Sequence, residues 1–219
     1  MKIKDNLYWI GHASFYLKTE YGNIFIDPYN VQIKEKADLI LITHSHFDHF
    51  SMQDIKKISN SKTKIFATND CVEKSDILID KILPGLSVEF NNIKIHAIPA
   101  YNTNKDRLSF HPKRNGWVGY IIEIDNEKLY HAGDTDLIEE MKTINDIDIA
   151  LLPAGGKYTM DAYEAIEAAK IINAKYTVPM HYKHILGEEK SNKLENEFVK
   201  NLDTALIMHE IQPPDFSPF

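Results

Sequence analysis

Short aromatic and β-branched runs alternate with turn residues over the first thirty positions. Leu7-Tyr8-Trp9-Ile10, Ser14-Phe15-Tyr16-Leu17 and Asn23-Ile24-Phe25-Ile26 carry side chains that strands favour, and Tyr21-Gly22-Asn23 supplies turn chemistry between the last two. Asp38-Leu39-Ile40-Leu41-Ile42-Thr43 is apolar without alternation, the pattern of a strand covered on both faces, and it runs directly into His44. From Ser51, a suitable N-cap, the period becomes helical as far as Ile58, and Lys64-Ile65-Phe66-Ala67 reads as the next strand. A second series follows. Ser87–Phe90 and Ile93–Ile98 flank an Asn91-Asn92 turn, and Trp117–Asp125 and Lys128–His131 form a further pair. Asp148–Leu152 and Lys175–Val178 bracket a helix over Asp161–Ile172, with one apolar stripe and Asp161 and Glu164 spaced as a capping box.

Strand runs alternating with helices predict an α/β protein, a sandwich of sheets covered by helices. The 219 residues suit one domain over 1–219. Residues 101–116 show no periodicity and are too long for a plain connection, which marks them as a functional or a mobile loop. The last seven residues, rich in proline, read as a tail along the surface.

Composition narrows the function. At 43% hydrophobic and 26% charged residues the chain is an ordinary globular protein. Lys and Arg number 25 against 32 Asp and Glu, a net charge of −7, so neither nucleic acid nor an anionic membrane is an expected partner; a small molecule is. No run is long enough to span a bilayer, the first residues lack a signal peptide's apolar stretch, and Cys71 is alone. The cytoplasm is the expected compartment.

The chemistry lies in the ten histidines. Thr43-His44-Ser45-His46-Phe47-Asp48-His49 packs four ligand-type side chains into six residues just after a buried strand. In an extended segment His44, His46 and Asp48 face one way, and the turn into the helix brings His49 round. Imidazole with carboxylate suits a borderline divalent cation: one or two ions, Zn²⁺ first, with Mn²⁺ or Fe²⁺ as alternatives.

His-x-His-x-Asp-His at the end of an apolar strand resembles the signature of the metallo-β-lactamase superfamily. Ala132-Gly133-Asp134-Thr135 resembles its Gly-Asp-Thr turn, and Pro179-Met180-His181-Tyr182 its last histidine element. Trp9–Phe15, Ile26-Asp27-Pro28, Leu152–Gly156 and Thr159-Met160-Asp161 are similar to segments of its cytoplasmic metal-dependent hydrolases, a group that includes sugar-phosphate lactonases and an N-acylethanolamine phospholipase of the D type. The resemblance implies a four-layer αβ/βα sandwich with its metal site at one edge, where loops of the two sheets meet. It implies His44 and His46 on one metal, Asp48, His49 and His181 on the other, and Asp134 bridging, with Asp48 and Asp134 as the catalytic carboxylates. It also implies a third histidine for the first metal after a strand ending in Pro-Ala. Here that place holds Asn102, so either Asn102 or His111 of the long loop completes the site.

Asn102, His111, Lys157, Tyr158 and His184 are the residues expected to face substrate. Gly155-Gly156-Lys157 before a helix could seat an anion, and Lys105, Arg107, Lys113 and Arg114 make the long loop basic, either as an attractor or as a solvated face. His12 is read first as a histidine satisfied by backbone and second as one that faces the site in support of it, and His96 and His131 as core or supporting residues. The expected function is metal-dependent hydrolysis of a small anionic metabolite, a lactone or phosphodiester. The alternatives are a catalytically silent metal-binding or structural protein and a nuclease of the same superfamily. Members of the group often form oligomers, so a homo-oligomer is an open expectation.

Overall fold

The computed structural model describes residues 2–211; the expected tail over 213–219 lies outside the described residues. Two compact units form, 2–82 with 208–211, and 83–207.

The first unit is a six-stranded mixed sheet in sequential order: β1 (Leu7–Gly11), β2 (Ser14–Thr19), β3 (Gly22–Ile26), β4 (Leu39–Leu41), β5 (Lys64–Ala67) and β6 (Asp80–Lys81). β1 to β3 pair antiparallel through tight turns, and β3 to β6 run parallel. The first of those turns needs unusual backbone, with φ 140° at Gly11 and 54° at His12, and the Trp9 indole donates to the His12 carbonyl at 3.0 Å to close it. Helix α1 (Met52–Ile58) starts where expected: Ser51 accepts from the Asp54 amide, and Ile55 and Ile58 are buried. Asp54 turns its carboxylate outward from the helix start to accept from Asn30 and Val31 amides, which ties down the chain after β3. A short helix α2 (Asn69–Lys74), absent from the sequence reading, follows β5. The core of this unit is Tyr16, Phe25, Ile40, Ile42, Ile55 and Ile65 with their neighbours, and it encloses Cys71, whose thiol burial pushes up to about 12.

The second unit holds a mixed sheet in the order β12-β11-β10-β9-β8-β7, made of β7 (Ser87–Phe90), β8 (Ile93–Pro99), β9 (Val118–Ile124), β10 (Glu127–His131), β11 (Ile149–Pro153) and β12 (Tyr176–Met180). The first four form an antiparallel meander; β10, β11 and β12 are parallel. Asn91 and Asn92 both take positive φ, 47° and 65°, as a two-residue hairpin turn of this hand requires. Helix α3 (Ala162–Ile172) carries the reciprocal Asp161–Glu164 capping box and buries Ala165, Ile166, Ala169 and Ile172. Helices α4 (Lys183–Leu186) and α5 (Glu188–Asn201) complete the unit. In both units the chain leaves the carboxyl ends of parallel strands into loops, the usual place for ligand-binding groups in α/β sheets.

Candidate metal centre

In the first unit β3 ends at Asp27 and β4 leads into the histidine run. Asp27 is fully buried, with left-handed backbone at φ 46°. Its carboxylate accepts from the Thr43 amide at 2.7 Å, the Thr43 hydroxyl at 2.6 Å and His49 Nδ1 at 2.7 Å. The Thr43 hydroxyl proton is thereby committed, so its oxygen, 3.0 Å from His44 Nδ1, acts as acceptor there. Both His44 and His49 then carry their proton on Nδ1 and present the Nε2 lone pair, the arrangement that second-sphere carboxylates impose on ligating histidines. His44 Nε2 lies 3.0 Å from His46 Nδ1, and the rings of His44 and His49 are 4.0 Å apart. Asp27 stands in a segment singled out only for its resemblance; the available signal for its role was an acid between a buried strand and a proline.

His12 takes the second of its expected roles, not the backbone-satisfied one: its Nε2 is 3.0 Å from Asp48 Oδ2, so it supports a carboxylate of the ligand run. Ligand atoms of His12, Asp48 and His49 all lie within 4.8 Å of one another. Between the two histidines, Ser45 donates to Asp70 Oδ2 at 2.5 Å and accepts from Lys74 at 2.6 Å, so α2 anchors the loop from outside.

In the second unit the chain leaving β10 places Asp134, and the chain leaving β12 places His181, at φ 58°. Asp134 Oδ2 sits 3.1 Å from His181 Nε2 and 3.1 Å from His111 Nε2, with all three side chains at most 3% exposed. Asn102 Oδ1 accepts from the His111 amide at 3.0 Å and is 2.8 Å from His111 Nδ1, while its Nδ2 donates to Asp136 Oδ1 and the Tyr158 carbonyl. A Cβ on Gly155 would collide with the His181 carbonyl. Gly155→Ala is therefore expected to cost about 1–3 kcal/mol and to displace His181, read as a lower urea midpoint together with weaker metal binding; an unchanged midpoint would refute the close approach.

The remaining candidates are more peripheral. Lys157 is exposed above the Tyr158 ring at 4.9 Å, Tyr158 packs edge-on against Phe110, and His184 is exposed on α4. The start of α3 already has its own carboxylates, Asp161 and Glu164, on its backbone amides, which leaves the expected anion seat there filled by the helix's own cap. Two cations of the long loop are also otherwise engaged. Arg107, 6% exposed, pairs with Asp136 and bidentately with Glu164, and Lys113 binds Tyr101 and Glu140. Arg107 is therefore no solvated attractor, whereas Lys113 stays exposed while it holds these partners. His131 is buried at the end of β10, as expected, whereas His96 is half-buried against the Ser87 hydroxyl.

Imidazole nitrogens and carboxylate oxygens are thus the donor set in each unit. The two Nε2 atoms converging on one buried Asp134 oxygen fit a divalent ion of the zinc, manganese or iron type better than an apolar or anionic group.

A family model described as a β-lactamase superfamily domain matches residues 6–181. A UPF0173 metal-dependent hydrolase of Thermoplasma volcanium is 37% identical over 220 residues, which cover 94% of each chain. A solved chain from Parabacteroides distasonis is 34% identical with a TM-score of 0.83, covering 94% of this chain and 93% of that one. The metallo-β-lactamase fold protein YhfI of Bacillus subtilis, 13% identical, shares the fold with a TM-score of 0.69 over 93% of this chain and 95% of its own. The expected α/β sandwich class is therefore the observed one, with two mixed sheets and flanking helices. The chain belongs to the metallo-β-lactamase superfamily and, within it, to the UPF0173 metal-dependent hydrolases.

Proposed function

We propose that this chain hydrolyses an ester-type bond, in a lactone or a phosphodiester, of a small anionic metabolite in the cytoplasm, with 1–219 acting as one hydrolase domain. The observation that carries the reading is the Asp134 carboxylate held 3.1 Å from two buried imidazole Nε2 atoms. His44, His46, Asp48, His49, Asp134 and His181 would hold one or two divalent ions, zinc first and manganese or iron as alternatives. When bound, such an ion supplies Lewis acidity, lowering the pKa of water from about 15.7 toward about 7 and polarising the bond attacked. Asp48, fixed at Oδ2 by His12, would orient the attacking water and take up its proton at Oδ1. Asp27 would keep the Nδ1 protons of His44 and His49 in place throughout. Lys157 beside Tyr158 would meet the anionic end of the substrate. Among the described residues no helix is long and apolar enough to cross a membrane.

The test is elemental analysis of protein purified without chelator, followed by a screen of sugar-phosphate lactones and bis-p-nitrophenyl phosphate. His46→Ala is expected to lose metal and to lower turnover at least ~1,000-fold, since it removes a ligand that generates the nucleophile. Full activity in metal-free protein, or in His46→Ala, would overturn the reading; metal without activity on any substrate class would favour a silent binding protein.

A further inference from the structure

On the sheet of the second unit the strand period of two sorts side chains onto opposite faces. Ile95, Ala97 and Ile122 are buried on one face of β8 and β9, while Lys94, His96 and Glu123 stand on the other, exposed or half-buried. Register sets Glu123 opposite Lys94 on one side and opposite Lys128 of β10 on the other. A hollow of about 350 Å³ opens on this face against residues 143–146, at the small end of the roughly 300–1,000 Å³ that holds metabolites. It lies by the start of β10 and the approach to β11, whereas Asp134 follows the carboxyl end of β10.

The lining combines three chemistries. Ile98, Ile121 and Ile144 give an apolar wall. Lys128 brings a half-buried ammonium that pairs with no carboxylate among the described residues; its backbone amide, not its side chain, donates to Asp148 Oδ2 at 2.8 Å. Glu123 accepts from Lys94 at Oε1, 3.0 Å away, and that hydrogen bond holds its carboxyl below the ordinary glutamate range, so the group is anionic at neutral pH. Asp146, at φ 58° in the turn before β11, adds a second carboxylate. His96 is bonded at Nδ1 to Ser87 Oγ, 2.7 Å away, which leaves Nε2 for a ligand. A phosphate ester or nucleotide would meet Glu123 and Asp146 as like charges, and a purely apolar ligand would strip water from Lys128 without replacing its hydrogen bonds. A small molecule that carries a carboxylate, an ammonium and an aliphatic body on neighbouring atoms answers all three parts.

We propose that this hollow is a separate ligand site, for a free α-amino acid with an apolar side chain: its carboxylate on the Lys128 ammonium and His96 Nε2, its ammonium on Glu123 and Asp146, its side chain against Ile98, Ile121 and Ile144. A peptide end carries only one of the two main-chain charges, so the free amino acid is the occupant that the charges select. The site uses no residue of the metal centre.

The protein as purified is titrated calorimetrically with L-valine, L-leucine, L-isoleucine and L-phenylalanine. Alongside leucine run 4-methylpentanoate, which lacks its ammonium, and isoamylamine, which lacks its carboxylate. Leucine is expected to bind with a Kd at or below about 1 mM, and each analogue at least ~10-fold more weakly, since each leaves a charged partner unmet. Lys128→Met keeps the apolar stem and the backbone bond to Asp148, so its urea midpoint is expected to match wild type while leucine binding weakens at least ~10-fold. Asp146→Asn keeps a residue that accepts the left-handed turn and is expected to weaken leucine severalfold. No binding of any of the four amino acids up to about 10 mM overturns the proposal. So does 4-methylpentanoate binding as tightly as leucine, which would make the hollow a site for simple carboxylates, and so does unchanged leucine affinity in Lys128→Met. Binding that a chelator removes and that Lys128→Met retains would place the amino acid on the metal, and it too overturns the proposal.

Discussion

Asp27→Ala is expected to abolish metal loading and to cost about 3–5 kcal/mol of stability, a large share of the roughly 5–15 kcal/mol that holds a domain together. The carboxylate is fully buried and accepts three hydrogen bonds, so its removal leaves the Thr43 amide, the Thr43 hydroxyl and the His49 Nδ1 proton facing a cavity. Alanine also tolerates the left-handed backbone at φ 46° poorly, at about 1–2 kcal/mol. Asp27→Asn separates the two effects, because asparagine accepts that backbone and keeps one oxygen for the Thr43 amide. Its NH₂ group cannot accept from His49, which forces the His49 proton to Nε2 and blocks the ligating nitrogen. The Asn variant should therefore lose about 1–3 kcal/mol in chelator-treated protein, by urea unfolding, yet fall nearly as far as Ala in metal affinity. Asn binding metal as tightly as wild type would show that the tautomer relay through Thr43 and His49 is unimportant.

That relay illustrates what the sequence could and could not reveal. The run from His44 to His49 was legible because its ligand types are adjacent, and the buried strand before it was legible because Leu39, Ile40 and Leu41 are all apolar. The Asp161–Glu164 cap and the Asn91-Asn92 turn are local devices, and both form as read. Asp27 was harder, since a lone acid after a strand signals nothing until the chain brings Thr43 and His49 to it. Helix α5 escaped notice because its apolar stripe is thin: Leu194 and Phe198 are buried, four residues apart, among charged and polar neighbours. Helix α2 is six residues long, too short to show a period. Arg107 read as part of a solvated basic loop because its partners, Asp136 and Glu164, lie far along the chain. Burial of a charge is a tertiary fact, and no local pattern announces it.

The same residue carries the second large effect. Arg107→Ala is expected to cost about 3–5 kcal/mol, since it removes a guanidinium that forms an ion pair with Asp136 at 3.0 Å and donates to the Thr159 carbonyl at 2.6 Å and to both Glu164 oxygens at 2.7 and 2.8 Å. Asp136, 1% exposed, would keep its bonds from the Thr103 and Asn104 amides but lose its countercharge. Lysine should not rescue, because one ammonium cannot span a carboxylate fork, a second carboxylate and a carbonyl together. The loss has a pH signature. Burial alone would raise the Glu164 carboxyl, but the hydrogen bonds from Arg107 and the Asp161 amide outweigh it and hold the group below its ordinary value. A depressed acid contributes stability above its unfolded pKa and loses it as pH falls through the folded one. The stability gap between wild type and Arg107→Ala should therefore be widest near neutral pH and shrink as the solution is taken below about pH 4, the ordinary range for glutamate. Urea midpoints for both proteins across that range measure it, and a gap that stays constant, or widens in acid, would mean that the Glu164 pair contributes nothing. Because Asp136 also holds the Asn102 amide, metal affinity should fall in the same variant at neutral pH, where the fold survives; affinity equal to wild type would uncouple the buried strut from the position of His111.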